Sequence, residues 1–258
     1  MGKTASLIGN PGSGKSNLFL AAYQQFTHIG WIKSPRPPEW GLWMSNILSG
    51  KPLPPTIKQN SYEMKFNDIV YEGSRIRTGW GGLSLKIRDL RGADYEKTTD
   101  AFRESVKGAS AVLITIDPSQ AQVLGPAIGN QVLPLVNAID YMLDYEKKLK
   151  YVGFIFTKRA LHNHSIRKIR SFVTRQLGPM INDVRRKGIH LRMLEVESRG
   201  IKYELDPWGI EPVFYDMLAS ICKVDGPRID VFNDPNADWE KTGPRTKKRK
   251  DDQKWKGN

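Results

Sequence analysis

The chain has 258 residues, 39% of them hydrophobic and 26% charged, with one cysteine, Cys222. That length can bury a sizeable core. A lone cysteine excludes an internal disulfide framework, and no apolar run reaches the roughly 20 residues of a membrane-spanning helix. Forty Lys and Arg against 27 Asp and Glu leave a net charge of +13, which favours anionic partners. Together these features predict a cytoplasmic protein without a transmembrane segment.

Ala5–Ile8 reads as a short strand, Gly9–Gly14 as a turn, and Lys15–Phe26 as a helix. Thr27–Thr56 reads as a long connection rich in tryptophan and proline (Trp31, Pro35–Pro38, Trp40–Trp43, Pro52–Pro55). Loops that long usually carry function, so Trp40 and Trp43 are expected to form a partner-contact patch. Tyr62–Tyr71 and Leu83–Asp89 read as two strands, joined as a hairpin through Gly79–Gly82. Ala111–Ile116 and Tyr151–Phe156 are apolar runs of the buried-strand type, with a helix over Val132–Lys148 between them. Ser165–Leu177 places Ile166, Ile169, Phe172, Val173 and Leu177 on one helical face. Leu191–Val196 and Glu211–Cys222 read as a last strand and a last helix. The alternation predicts an α/β domain over residues 1–222, with a mainly parallel sheet and helices on both faces. Residues 223–258 are polar, basic and aperiodic, and are expected to form a flexible tail.

Gly9-Asn10-Pro11-Gly12-Ser13-Gly14-Lys15-Ser16 fits G-x-x-x-x-G-K-[ST] in full, after a strand and before a helix. Backbone N–H groups of such a loop, with the helix N-terminus, form an anion hole for phosphates. Lys15 would reach the β and γ phosphates, the Ser16 hydroxyl would ligate Mg²⁺, and Asn17 follows in the first helical turn. The predicted fold is therefore the three-layer P-loop NTPase fold. Two aspartates at strand ends, Asp89 and Asp117, are candidates for the magnesium shell. Asp89 opens the D-x-x-G of Asp89-Leu90-Arg91-Gly92, whose last amide can meet a γ-phosphate.

The order of motifs resembles that of Ras-like small GTPases, a translation-factor-related class. Pro54-Pro55-Thr56-Ile57 looks like the first switch of that family, Asp89–Gly92 like the second, Thr157-Lys158 like its base-reading motif, and Glu197-Ser198-Arg199 like its S-A-K loop. The resemblance implies that Thr56, with Ser16 and Asp89, serves the metal. It also implies that Thr56, Gly92 and Lys15 serve the reacting phosphate, and that Thr157, Lys158 and Ser198 serve the base. It implies a GTP-binding switch protein with Mg²⁺ as cofactor and a protein partner at the switch loops. Two positions depart from the family: Ala160 stands where a base-reading aspartate is usual, and Ala93 where a water-orienting glutamine is usual. Unassisted hydrolysis is accordingly expected to be slow, and ATP stays open as the nucleotide. A P-loop ATPase using Asp117, acting on nucleic acid or in assembly, and a nucleotide-binding recruitment protein without turnover are the alternatives.

The positive charge is concentrated. Lys158–Arg192 holds ten Lys or Arg against one acid, Asp183, and Lys241–Lys256 holds eight against Asp251 and Asp252. Both blocks are candidates for nucleic acid or another polyanion. The Met1–Ser6 segment matches a myristoylation pattern, but its Gly2 stands at the mouth of the first strand. His162, His164 and His190 lack metal-ligand spacing.

Overall fold

Ala111–Ile116 and Tyr151–Phe156 lie side by side as strands with every residue buried, as apolar runs covered on both faces must be. The structure is a computed structural model that describes residues 2–54, 60–71, 73–78, 82–89, 100–118, 137–158, 166–199 and 205–222. These residues belong to the unit Met1–Gly226; the remaining unit, Pro227–Asn258, and with it the expected tail over 223–258, lie outside them.

The elements in chain order are β1 (Gly2–Gly9), α1 (Lys15–His28), α2 (Trp40–Leu48), β2 (Asn60–Phe66), β3 (Ile69–Tyr71), β4 (Ser74–Ile76) and β5 (Leu83–Asp89). Then come α3 (Asp100–Val106), β6 (Ala111–Ile116), a helical stretch over 137–145 (α4), β7 (Tyr151–Phe156) and α5 (Ile166–Arg186). The last elements are β8 (His190–Glu195), β9 (Glu197–Arg199), β10 (Leu205–Trp208) and α6 (Ile210–Cys222). Six strands form one sheet in the order β2-β5-β1-β6-β7-β8. All its pairings are parallel except β2 with β5, which run antiparallel from Asn60↔Asp89 to Phe66↔Leu83. The fold is thus mixed α/β with a mainly parallel central sheet. Among the described residues no helix is long and apolar enough to cross a membrane.

Side-chain alternation distributes the helices. Ala5 and Leu7 of β1 enter the cluster that holds Leu18 and Phe19 of α1 and Phe214 and Met217 of α6. Ser6, between them, points to the other face and donates to the Ser105 carbonyl of α3 at 2.7 Å. Tyr141 of α4 meets Phe102 of α3 edge-on at 5.8 Å, and α5 packs on β8. Edge strand β2 alternates buried and exposed residues, so only one of its faces is covered.

Several elements differ from the sequence reading. Tyr62–Tyr71 is not one strand: β2 stops at Phe66, and β3 pairs with β4 in a separate small hairpin, Ile69↔Ile76 to Tyr71↔Ser74. The long tryptophan- and proline-rich connection contains α2, whose apolar residues cover the core edge. Trp43 is 4% exposed and lies edge-on to Phe19 (6.0 Å) and Tyr62 (5.6 Å). Trp40 packs on Tyr23 at 5.2 Å beneath the Arg36 guanidinium. The expected partner patch of Trp40 and Trp43 is corrected at Trp43, whose ring is spent on packing; Trp40 is half-buried against the core edge, and Leu42 and Leu48 are the exposed apolar residues of α2. Helix α5 runs nine residues past Leu177, through Pro179, because Met180, Ile181 and Val184 extend the buried stripe of Ile169, Val173 and Leu177. The short α3 and the β9–β10 hairpin carry too few residues for a periodic signal.

Candidate functional site

The loop between β1 and α1 turns on glycines. Gly9, Gly12 and Gly14 all take positive φ, at 151°, 75° and 90°. A Cβ on Gly9 would stand 2.3 Å from Thr115 Oγ1 and 2.5 Å from the Thr115 carbonyl, so only glycine lets the loop leave the sheet this closely. Pro11 and Gly12 are exposed at the tip, and Asn10 accepts the Ser13 N–H at 3.1 Å. The loop is clamped from β6 and from the end of β7. The Thr115 hydroxyl donates to the Ile8 carbonyl (3.2 Å), which leaves the Ser13 hydroxyl to donate to Thr115 Oγ1 (2.7 Å). The Thr157 hydroxyl donates to the Ser13 carbonyl at 2.7 Å, which joins the end of β7 to the loop.

Lys15 opens α1 and is 6% exposed. Its ammonium folds back to donate to the carbonyls of Gly9 (2.8 Å) and Asn10 (3.0 Å). Burial pulls it below the usual lysine range, and the Asp89 carboxylate opposes that pull. Gly14 caps the helix without a side-chain hydrogen bond, and the first turn carries no acid. The helix therefore presents its positive end and its first N–H groups beside a buried cation, a setting that attracts an anion. Asn17 sits half-buried in the same turn.

Asp89 ends β5 opposite Leu7 of β1 and is 1% exposed. The Ser16 hydroxyl donates to its Oδ2 at 3.0 Å. Among the described residues no three His, Cys, Asp or Glu side chains gather as a metal cluster. A hydroxyl and a carboxylate at hydrogen-bond distance nevertheless fit Mg²⁺, which takes hard oxygen ligands, uses few protein groups and keeps several waters. Tyr62 of β2 lies 7% exposed and stacks on Phe19 at 4.3 Å. Burial first, then the Glu39 and Asp89 carboxylates, push its phenol up, so it remains a neutral hydroxyl on this side of the site.

Asp117 has a different partner. It directly follows β6 with its side chain fully buried, and Lys158 donates to its Oδ2 at 2.5 Å. Lys158 alone among the described non-glycine residues has positive φ, 57°, so the ion pair accompanies an unusual backbone conformation. Val196 donates to the Phe156 carbonyl at 2.8 Å, which brings Glu197 and Ser198 beside the end of β7. Both are buried, at 7% and 6% exposure, and the Ser198 N–H donates to Glu197 Oε1 at 3.0 Å.

The structure thus gathers Gly9–Asn17, Asp89, Thr157, Lys158 and Ser198 along the C-terminal ends of the parallel strands. Thr56, Gly92, Ala93 and Ala160 lie outside the described residues. Thr115 escaped the sequence reading, and Glu197 entered it only as part of Glu197-Ser198-Arg199, with no role of its own; a threonine inside the apolar run Ala111–Ile116 and an acid just past a strand end were the available signals. The basic block Lys158–Arg192 is corrected at both ends. Lys158 is paired with Asp117. Arg192, 6% exposed, lies against Asp216 of α6 through Nε (3.1 Å) and a terminal nitrogen (3.2 Å). Lys168, Arg175, Arg185, Arg186 and Lys187 of that block are exposed, although Arg186 pairs with Asp183, and Lys187 with Asp144 at 3.5 Å. The Lys241–Lys256 block lies outside the described residues. No protein-family model matches the chain, and no curated protein matches it.

Proposed function

We propose that the chain has the P-loop NTPase fold, binds a nucleoside triphosphate (GTP) with Mg²⁺, hydrolyses it slowly, and acts as a switch read by a protein partner. The observation that carries this reading is Lys15, a cation held 6% exposed at the uncapped start of α1 by the carbonyls of the loop it follows. A buried ammonium is costly unless an anion compensates it, and polyphosphate is the anion this loop geometry suits. Lys15 would bind the β and γ phosphates, the loop N–H groups would hold and orient them, and Ser16 and Asp89 would hold the metal. Mg²⁺, when bound, supplies charge neutralisation at the phosphate oxygens. Phosphoryl transfer asks for positioning and charge stabilisation rather than covalent help, so this set suffices for slow turnover. Alanine at 93 supplies no water-orienting amide, which leaves acceleration to a partner. Thr56 and Gly92 are proposed as the groups that sense the γ-phosphate, with release of both segments after hydrolysis as the switching event.

The hydrogen bond from Ser16 to Asp89 favours this reading over an ATPase with Asp117 as its metal-side carboxylate, since Asp117 accepts from Lys158. Titration of the full chain with GTP, GDP, ATP and ADP, with and without Mg²⁺, tests it. Lys15→Ala should weaken triphosphate binding by about 10- to 100-fold, the worth of a charge-assisted contact. Asp89→Ala should abolish the Mg²⁺ dependence of binding. Unchanged affinity in a folded Lys15→Ala protein would overturn the nucleotide reading, and loss of Mg²⁺ dependence in Asp117→Ala alone would transfer it to the ATPase class. Tight GTP binding with no turnover, even with a partner, would leave a recruitment protein.

A further inference from the structure

We propose that the end of the parallel sheet opposite the phosphate loop binds single-stranded nucleic acid. Lys147, Lys148 and Lys150 meet its phosphates, Lys107 and Lys187 flank them, and Tyr145 stacks on a base. This surface is separate from the nucleotide site, and the inference stands without that reading.

Strands β6, β7 and β8 are parallel neighbours, so the turns that lead into them lie side by side, about 4.8 Å apart. Each turn is basic. Lys107 comes before β6, Lys147, Lys148 and Lys150 before β7, and Lys187 before β8, and all five are exposed. Hydrogen bonds brace the turns into one surface. Glu146 Oε2 accepts the Gly108 N–H at 2.6 Å, and the Lys150 N–H donates to the Ser110 carbonyl at 2.8 Å. The His190 N–H donates to the Lys150 carbonyl at 2.9 Å, and Lys187 Nζ to the Leu143 carbonyl at 2.6 Å. A backbone fixed in this way loses little freedom when an anion binds.

The five lysines differ in how far acids neutralise them. Lys107 lies 3.6 Å from Glu104 and Lys187 3.5 Å from Asp144, exposed pairs of a kind worth little. Asp140 and Asp183 also lie toward Lys187, which leaves the positive centre at the β7 turn. Among the described residues, Lys147, Lys148 and Lys150 form no ion pair. Three neighbouring ammoniums raise the local potential and favour a polyanion over a single carboxylate.

Tyr145 tells which polyanion. It is the last residue of α4, directly before this turn, and is 68% exposed. Its ring stacks on Tyr141 at 4.7 Å; Tyr141 in turn lies under the Arg103 guanidinium (5.8 Å) and edge-on to Phe102 (5.8 Å). The Tyr145 ring is steadied from within and open to solvent, so a base extends an existing stack. Cations beside a fixed, exposed aromatic ring are the composition of single-strand sites. A duplex keeps its base faces covered, and an anionic bilayer has no flat ring to add.

The test is fluorescence anisotropy of labelled oligothymidylate with the full chain over a range of salt concentrations. Wild type should bind, with affinity falling as salt rises. The triple variant Lys147→Ala/Lys148→Ala/Lys150→Ala should flatten the log–log slope by about 2, since each phosphate contact contributes about 0.7. Tyr145→Ala should weaken binding about tenfold or more at unchanged slope, and Tyr145→Phe, which keeps the ring, should bind like wild type. Lys247→Ala/Lys248→Ala/Lys250→Ala reports the share of the basic block beyond residue 240 and should leave the Tyr145→Ala ratio as it is. A slope unchanged in the first triple variant, or an affinity unchanged in Tyr145→Ala, overturns the inference. So does a wild type that binds a duplex as tightly as the single strand, or that ignores oligothymidylate and binds phosphatidylserine vesicles or nothing.

Discussion

Gly9 shows how much one missing Cβ can decide. Its φ of 151° and the Thr115 carbonyl 2.5 Å from where a Cβ would stand leave no room for alanine. A backbone carbonyl inside a parallel sheet cannot swing aside, so the clash has to be absorbed by the loop. Gly9→Ala should destabilise the protein by about 1–3 kcal/mol, the usual cost of overpacking, and weaken triphosphate binding because the Lys15 ammonium is held by the Gly9 carbonyl. Urea unfolding and nucleotide titration check both; a loss below about 0.5 kcal/mol would show that the loop has slack. The hydroxyls of Ser13, Thr115 and Thr157 form the complementary device, since together they tie the loop to two different strands.

Among the elements, α5 carries an internal conflict. Pro179 sits inside the helix, where a proline lacks the N–H and crowds the preceding turn at a cost of about 3 kcal/mol. The helix persists because Val173, Leu177, Met180, Ile181 and Val184 are all buried on one stripe, each worth about 1.5–3 kcal/mol. Pro179 itself is exposed, so replacing its ring forfeits little packing. Pro179→Ala is expected to raise stability by about 1–3 kcal/mol, seen as a higher urea midpoint. A lower midpoint would mean that the ring is needed where it is. Helix α2 illustrates the opposite case, an apolar segment that folds by covering Phe19, Tyr23 and Tyr62 rather than by any strong cap.

Across the whole domain, the far end of the sheet is closed by charge. Asp216 of α6 lies against Arg192 of β8 (3.1 Å) and His190 Nε2 (3.3 Å), with the His190 ring stacked on Tyr151 of β7 at 5.7 Å. Burial alone would push the Asp216 carboxyl up, but the contacts and charges of His190 and Arg192 outweigh it and hold it below the usual carboxylate range. A carboxyl depressed by folding contributes stability above its unfolded pKa of about 4, and that contribution fades as pH falls through the lower folded value. Asp216→Ala leaves the Arg192 charge buried and should cost about 3–5 kcal/mol near neutral pH. The gap between wild type and variant should shrink below about pH 4. Urea midpoints measured from pH 7 to pH 3 decide the point, and a constant gap would refute the clamp.

Much of this was legible in order along the chain. The glycine spacing from Gly9 to Gly14 fixes a loop that only φ-permissive residues can make, and the buried runs Ala111–Ile116 and Tyr151–Phe156 announce a doubly covered sheet. Local chemistry suffices there, because backbone freedom and continuous apolarity are properties of the residues themselves. Trp43 and Arg192 could not be read this way. An exposed tryptophan and a core tryptophan look alike in sequence, and an arginine in a basic block becomes neutralised only when Asp216, 24 residues on, is folded against it. Asp89 and Asp117 look alike as letters at strand ends, and only the D-x-x-G setting favoured Asp89. The partners that tell them apart, Ser16 for one and Lys158 for the other, are 73 and 41 residues away. The sequence by itself determined the glycine-rich loop between the first strand and the first helix and the layered pattern. The tertiary structure decided which charges are neutralised and which carboxylate meets which donor, because those pairings depend on distances that only the closed sheet brings into being.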